Sequence, residues 1–208
     1  KSKKKDERIK TICIGNIYLG GTGKTPTTIK LYQLLSQQGY EVLTANKNYK
    51  EHLDEKIILE RKTETISSKN RLEIIDKAIS MKKKILIFDD GLQDKKISYD
   101  IEFVCFDQKN WLGNGLLIPS GPLREKISSL KKYSCIFLKK DGEDTSNKTQ
   151  LIKNINPNIK IFYTHFEPLN IDQFDRSKKY LIFSGIGNPQ DFKNLLIKNE
   201  LNIVDEII

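Results

Sequence analysis

A glycine-rich loop between a short apolar run and a helical pattern most constrains what this chain can fold into. The apolar run covers residues 12–14, and the loop reads Gly20, Gly21, Thr22, Gly23, Lys24, Thr25. In such a loop, backbone N–H groups and the N-terminus of the following helix form a cradle for phosphate groups. We expect Lys24 to reach the β and γ oxygens of a nucleotide and the Thr25 hydroxyl to bind Mg²⁺. The order of strand, loop and helix therefore predicts a phosphate-binding loop (P-loop).

One position departs from the strict P-loop pattern. The pattern places a glycine six residues before the lysine, and Tyr18 stands there. We expect the tandem Gly20-Gly21 to supply the tight turn instead, because glycine adopts backbone conformations that other residues avoid. The alternative is a chance glycine turn, which the strand and helix patterns on either side disfavour.

The composition is that of a folded and basic protein. Of the 208 residues, 38% are hydrophobic and 30% charged, and 36 Lys and Arg against 27 Asp and Glu give a net charge of +9. Nucleic acid, an anionic membrane surface and phosphorylated substrates are all compatible partners. The three cysteines lie singly in apolar runs, which favours a reducing cytoplasm over a disulfide framework or a metal site.

The ends of the sequence indicate a piece of a longer protein. It begins at Lys1 without a methionine, and no signal peptide is visible. No apolar run approaches the roughly 18–20 residues that span a bilayer. We therefore expect an anchor, if there is one, to lie upstream of Lys1.

Strand and helix patterns alternate along the rest of the chain. Strands are predicted near residues 12–14, 41–45, 57–59, 85–88, 101–106, 134–138, 159–163 and 180–184, and helices after Pro26, at 71–80, near 149–155 and from Pro189. This order predicts an α/β, P-loop NTPase-like fold with a mainly parallel sheet and helices on both faces. We assign residues 1–140 to a nucleotide-binding core. Residues 141–208 are assigned to a C-terminal α/β portion, part of a smaller lobe.

Two carboxylates follow a central strand. Residues 85–88 form an unbroken apolar run that ends in Asp89-Asp90-Gly91, as a buried parallel strand does. In a P-loop protein, a carboxylate at this place holds Mg²⁺ directly or through water. A plain Asp-Asp-Gly turn is the alternative. The predicted metal ligands are thus Thr25, Asp89 and Asp90.

Four stretches together resemble the tetraacyldisaccharide 4′-kinases of lipid A synthesis. They are Gly15-Asn16 with residues 20–26, residues 89–93 (D-D-G-L-Q), residues 113–115 (G-N-G) leading to 119–125 (P-S-G-P-L-R-E), and residues 185–189 (G-I-G-N-P) with Phe192. The third stretch is the most specific. The resemblance implies a kinase at the cytoplasmic face of the bacterial inner membrane. With ATP and Mg²⁺, such enzymes phosphorylate the 4′-hydroxyl of an acylated glucosamine disaccharide and give lipid IVA.

The resemblance also implies roles for individual residues. Asp54 matches the aspartate of a G-D-E-P motif, which acts as catalytic base, while on its own it would read as a surface turn. Lys24, Asp89 and Asp90 are implied in catalysis. The implied substrate-binding residues are Asn16, Gln93, Asn114 and Arg124. Arg124 is a natural donor to phosphate oxygens, and its alternative is an ion pair with Glu125 or another neighbour.

The chain departs from the family pattern at several positions. The motif D-D-G-L-Q-H ends here in Asp94, S-R-G-Y-G becomes residues 46–50 (N-K-N-Y-K), and G-D-E-P becomes residues 53–56 (L-D-E-K). The resemblance places a hydrophobic helix before Lys1 and a histidine that assists the base after Ile208.

Two other functions compete with the kinase. A P-loop GTPase or ATPase switch that reads guanine should carry N-K-x-D after a late strand, whereas residues 46–49 (N-K-N-Y) come early and lack the aspartate. A nucleic-acid-binding module needs stacking aromatics within a lysine patch, and most aromatics here lie in apolar runs. We therefore expect no nucleic-acid partner.

Overall fold

The computed structural model describes residues 3–47, 53–140, 144–186 and 188–207, without the side chains of residues 53–55. The chain forms two compact units, Lys1–Thr164 and His165–Ile208.

The first unit is built on a seven-stranded parallel sheet. Its strands are β1 (Lys10–Gly15), β2 (Val42–Lys47), β3 (Thr65–Ser68), β4 (Ile85–Asp89), β5 (Ile101–Asp107), β6 (Cys135–Lys139) and β7 (Lys160–Thr164), in the spatial order β3-β2-β4-β1-β5-β6-β7. Its helices are α1 (Lys24–Gln37), α2 (Leu53–Lys62), α3 (Arg71–Ser80) and α4 (Ser146–Ile155). All six strand pairings are parallel, which confirms the predicted parallel sheet.

The core residues of β1 show that both faces of the sheet are covered. Ile12 and Ile14 belong to a cluster that packs against Leu31 and Leu35 of α1. Cys13, which points the other way because side chains alternate along a strand, belongs to a second cluster with α3 and α4 residues. Burial on both faces explains why the strand is continuously apolar. The predicted helices on both faces are thereby confirmed.

The pairing of β1 places the P-loop beside the acidic motif. β1 lies between β4 and β5, and Ile14 is in register with Asp89. The Asp90 N–H donates to the Ile14 carbonyl at 2.8 Å. The loop after β1 and the carboxylates after β4 therefore leave the same edge of the sheet, where ligands of open α/β sheets bind.

The strand predicted at residues 57–59 is wrong, because these residues lie within α2. Ile57 and Ile58 are exposed there while Leu59 is fully buried, and Lys56 pairs with Glu60 one turn later. The structure also has a strand that the sequence did not indicate, β3, whose residues are Thr-Ile-Ser-Ser. As an edge strand that is only partly buried, it lacks a strong apolar pattern.

The described part of the second unit contains two parallel strands and one α-helix, β8 (Lys179–Phe183), α5 (Pro189–Lys198) and β9 (Asn202–Ile207), and a short 3-10 helix at Ile171–Gln173. As predicted, α5 starts at Pro189, and the Asn188 side chain caps it by accepting from the Asp191 N–H at 3.2 Å.

The compact units divide after Thr164, because β7 pairs with β6 and brings residues 160–164 into the first sheet. The division into domains after residue 140 stays a prediction. No described helix is long and apolar enough to cross a membrane.

Candidate nucleotide and phosphate-transfer site

The glycines of the loop take the conformations that a P-loop needs. Gly20 has φ of 129° and Gly23 has φ of 79°, both in the region that disfavours a side chain. Gly23 directly precedes Lys24, the first residue of α1. Tyr18, at the place of the expected glycine, instead forms an antiparallel bridge with Leu123. The turn thus falls at Gly20, as the tandem glycines predict.

The Asn16 side chain stabilises the P-loop by hydrogen bonds. Its side chain is fully buried, and Nδ2 donates to the Gly20 carbonyl at 3.2 Å and to Thr22 Oγ1 at 2.9 Å. Its Oδ1 atom has no hydrogen-bond partner among the described residues. Because both amide donors are used within the loop, Asn16 holds the loop in shape. Its contact with substrate stays a prediction.

Thr25 and Asp89 meet where the helix begins. The Thr25 hydroxyl donates to Asp89 Oδ2 at 2.8 Å, and Thr28 Oγ1 lies 3.4 Å from Asp89 Oδ1. A hydroxyl and a carboxylate are the hard oxygen ligands that Mg²⁺ prefers, and Mg²⁺ takes its other ligands from water and phosphate. The pair therefore fits a Mg²⁺ ion that is bound together with a nucleotide.

Asp90 lies between two cations. Its carboxylate is 3.9 Å from Lys24 Nζ, and one Arg124 guanidinium nitrogen donates to Oδ2 at 3.0 Å and lies 3.3 Å from Oδ1. The alternative for Arg124 was an ion pair with Glu125 or another neighbour, and the ion pair that the structure has is with Asp90. The contact of Arg124 with phosphate oxygens stays a prediction. Asp90 holds Lys24 and Arg124 together, next to the loop that is built for phosphates.

Gln93 and Glu125 support this arrangement. Gln93 Nε2 donates to the Asn16 carbonyl at 3.0 Å and to Glu125 Oε1 at 3.1 Å. Glu125 also accepts from Lys132 and Tyr133, each at 2.8 Å. Burial alone would raise the pKa of Glu125, but these hydrogen bonds outweigh it and lower the pKa. Glu125 is thus a charged anchor that orients Gln93.

The segment from Gly113 to Arg124 is shaped by Asn114. Its Nδ2 donates to the Ser120 carbonyl at 3.0 Å, and its Oδ1 accepts from the Leu116 N–H at 3.1 Å. A Cβ atom on Gly121 would collide with Asn114 Oδ1, so this turn requires glycine. Asn114 therefore organises the segment from within, and its predicted contact with substrate stays a prediction.

Arg71 was not predicted from the sequence, although it touches the acidic motif. One of its nitrogens donates to Asp94 Oδ2 at 2.8 Å and another to the Asp90 carbonyl. The side chains of Arg71 and Asp94 are 9% and 16% exposed. Burial acts to raise the pKa of Asp94, but hydrogen bonds from the Lys96 N–H and from Arg71 lower it overall. The only signal in the sequence was Asp94 itself, which stands where the family carries histidine.

The hydrogen bond from Arg71 to the Asp90 carbonyl stabilises an unusual backbone conformation. Asp90 has φ of 62°, a left-handed conformation that is uncommon outside glycine. Arg71 donates a hydrogen bond to the Asp90 carbonyl, and Asp94 orients the Arg71 side chain. The pair therefore fixes the residue whose carboxylate holds Lys24 and Arg124.

We expect Arg71→Met to lower the free energy of unfolding by about 2 kcal/mol, because it leaves the partly buried Asp94 carboxylate without its side-chain hydrogen-bond donor. ATP binding should also weaken, since the Asp90 carbonyl is released. The double variant Arg71→Met with Asp94→Leu should regain stability but not ATP affinity. Urea denaturation and calorimetry measure the two quantities separately. Recovery of both in the double variant would show that the pair serves stability alone.

The structure brings together most of the predicted site residues. Those that meet at this edge are Asn16, Gly20 to Thr25, Asp89, Asp90, Gln93 and Arg124. Asp54 lies in the first turn of α2, and its side chain is outside the described part. Residues 48–52 also lie outside it. The role of Asp54 as catalytic base stays a prediction.

A loop that cradles phosphates at the start of a helix, with a carboxylate on the neighbouring strand beside the helix threonine, defines a P-loop nucleotide-binding protein. The model of the tetraacyldisaccharide-1-P 4′-kinase (LpxK) family matches residues 2–64 and 42–208. The chain belongs to this family.

Curated relatives carry the same family name. The chain is 45% identical over 207 residues to the tetraacyldisaccharide 4′-kinase of Pelagibacter ubique, covering 100% of this chain and 66% of that protein. It is 33% identical over 213 residues to that of Rickettsia canadensis, covering 94% of this chain and 63% of that protein. The chain thus spans slightly less than two thirds of the length of these relatives.

Solved structures agree on the fold. LpxK from Aquifex aeolicus, solved in complex with ATP, superposes with a TM-score of 0.72 at 19% identity, over 99% of this chain and 72% of that one. The hydrogenase maturation factor HypB from Archaeoglobus fulgidus superposes with a TM-score of 0.55 at 12% identity, over 76% of this chain and 82% of that one. At such identities the likeness concerns the fold alone.

Proposed function

We propose that this protein transfers the γ-phosphate of ATP to the 4′-hydroxyl of a tetraacyldisaccharide 1-phosphate, giving lipid IVA. The observation that carries the proposal is the meeting of Lys24, Thr25, Asp89, Asp90 and Arg124 at one edge of the sheet, in a chain of this kinase family. Phosphoryl transfer depends on positioning and on neutralising charge, and this arrangement supplies both.

Each residue then has a stated task. The N–H groups of the loop and Lys24 bind the phosphates. Thr25 with Asp89 would hold Mg²⁺, which reduces the negative charge on the phosphate oxygens when bound. The contact of Asp90 with this ion stays a prediction. Asp90 keeps Lys24 and Arg124 in place until a nucleotide arrives. Arg124 donates to phosphate oxygens, and Asp54 accepts the proton of the sugar hydroxyl. Gln93, Asn16 and Asn114 hold the loops of the site in shape, and we propose that they also contact the substrate.

The substrate carries acyl chains, so the enzyme must work at a membrane surface. We infer that it acts at the cytoplasmic face of the bacterial inner membrane. The net charge of +9 supports attraction to anionic lipid, because each basic residue near such a surface contributes roughly 1 kcal/mol.

The competing function is a P-loop switch that hydrolyses nucleotide without a lipid acceptor. ADP release in the presence and absence of acylated disaccharide 1-phosphate separates the two, with labelled γ-phosphate followed into the lipid. We expect ADP release to depend on the lipid and the label to appear in it. Release that is independent of lipid, without labelled product, would favour the switch.

A further inference from the structure

Four large apolar side chains are exposed beside the P-loop. They are Leu19, Leu116, Leu117 and Ile118, with exposed fractions of 54%, 52%, 37% and 50%. We call these four residues the apolar rim. Single exposed leucines are ordinary, but several grouped on neighbouring segments mark an interaction surface.

The rim is held in a fixed shape by backbone hydrogen bonds. The Leu19 N–H donates to the Pro122 carbonyl at 2.7 Å, and the Ile118 N–H donates to the Leu123 carbonyl at 2.9 Å. In return, the Leu123 N–H donates to the Leu116 carbonyl at 3.1 Å. The Leu123 side chain is buried and secures this central segment. The apolar side chains are therefore displayed by an ordered scaffold.

The position of the rim ties it to the phosphate site. Leu19 directly precedes Gly20 of the P-loop, and Leu123 directly precedes Arg124, which pairs with Asp90. The rim therefore lies on the two chain segments that also carry the P-loop and Arg124.

Three exposed lysines follow the rim along the sequence. Lys126, Lys131 and Lys132 are all exposed, and Lys132 contacts Glu125, the neighbour of Arg124. A surface that combines exposed apolar side chains with lysines is typical of proteins that bind the interface of an anionic bilayer.

We propose that the apolar rim enters the boundary between headgroups and acyl chains of an anionic lipid bilayer, with the lysines on the phosphates of the headgroups. This inference rests on the proposed function and names the surface through which the site meets its lipid. It orients the P-loop edge of the sheet towards the membrane, where the sugar of the acceptor lies.

Co-sedimentation with vesicles of phosphatidylglycerol and phosphatidylethanolamine tests the rim. In about 1 M salt the Debye length falls to about 3 Å, so attraction by lysines is screened and apolar insertion remains. We expect the triple variant Leu116→Ser, Leu117→Ser, Ile118→Ser to partition into these vesicles at least about tenfold more weakly than the unaltered chain.

A matched control uses exposed apolar residues elsewhere. Leu34 and Tyr40 have exposed fractions of 44% and 51%, and they lie near the other end of α1 from the P-loop. Leu34→Ser with Tyr40→Ser should leave partitioning unchanged. Thermal unfolding of the triple variant should match that of the unaltered chain, since the replaced side chains are exposed.

Three results would overturn the proposal. One is equal partitioning of the triple variant and the unaltered chain, and another is no binding of the unaltered chain in high salt. The third is self-association of the unaltered chain that the triple variant loses, which would make the rim a protein interface. Calorimetry with ATP in the absence of lipid tests the nucleotide site separately. A chain that does not bind ATP would reject the proposed function without changing the vesicle result.

Discussion

Replacing Lys24 with alanine is expected to weaken ATP–Mg²⁺ binding by about 10- to 100-fold. Hydrogen bonds to charged groups contribute about 1.5–3 kcal/mol, and Lys24 is placed to make them with the nucleotide phosphates. The ammonium also lies 3.9 Å from Asp90, so its loss leaves the Asp90 charge facing the incoming phosphates with Arg124 alone. Titration calorimetry with ATP and Mg²⁺ measures the change.

A control on the same helix makes this result specific. Lys30 lies in α1 and is exposed, so Lys30→Ala removes one positive charge without touching the loop. It should leave ATP affinity within about twofold of the unaltered chain, because salt screens the charge of an exposed lysine that does not contact the nucleotide. Equal affinities for the Lys24→Ala variant and the unaltered chain would contradict the assignment of the loop.

Asp54→Asn is expected to lower phosphoryl transfer to the acylated disaccharide by about 10²-fold or more, the range for loss of a general base. Asparagine keeps the size of the side chain but cannot accept the proton of the sugar hydroxyl. ATP affinity and thermal stability should barely change, because Asp54 is not assigned to the nucleotide. Transfer of labelled phosphate to lipid, with calorimetry on the same samples, measures both effects.

Glu60 offers a control within the same helix. It lies in α2 and pairs with Lys56 at 3.7 Å near the surface, so Glu60→Gln changes one carboxylate in the same way. We expect nearly full transfer activity from it. A fully active Asp54→Asn variant would refute the assignment of the base, whereas an unfolded one would assign Asp54 to stability.

Local signals in the sequence were sufficient for the P-loop and for the strands around it. The strands β1 and β4 are buried on both faces, and such strands appear in the sequence as continuous apolar runs. This pattern can be recognised without knowing which strands lie beside them. The polar edge strand β3 has no such pattern. The run at residues 57–59 was misread, because a short apolar run fits a helix as well as a strand.

The local sequence determined the phosphate-binding loop, because the glycine conformations and the start of α1 depend on residues that are adjacent along the chain. It also determined that Asp89 and Asp90 end a buried strand. Only the tertiary structure decided that Arg124 pairs with Asp90 rather than with Glu125. It likewise showed that Arg71 and Asp94 hold the Asp90 backbone. These partners lie 34, 19 and 23 residues apart along the chain. Side-chain pairing over such separations follows from strand order and register, which local sequence patterns do not contain.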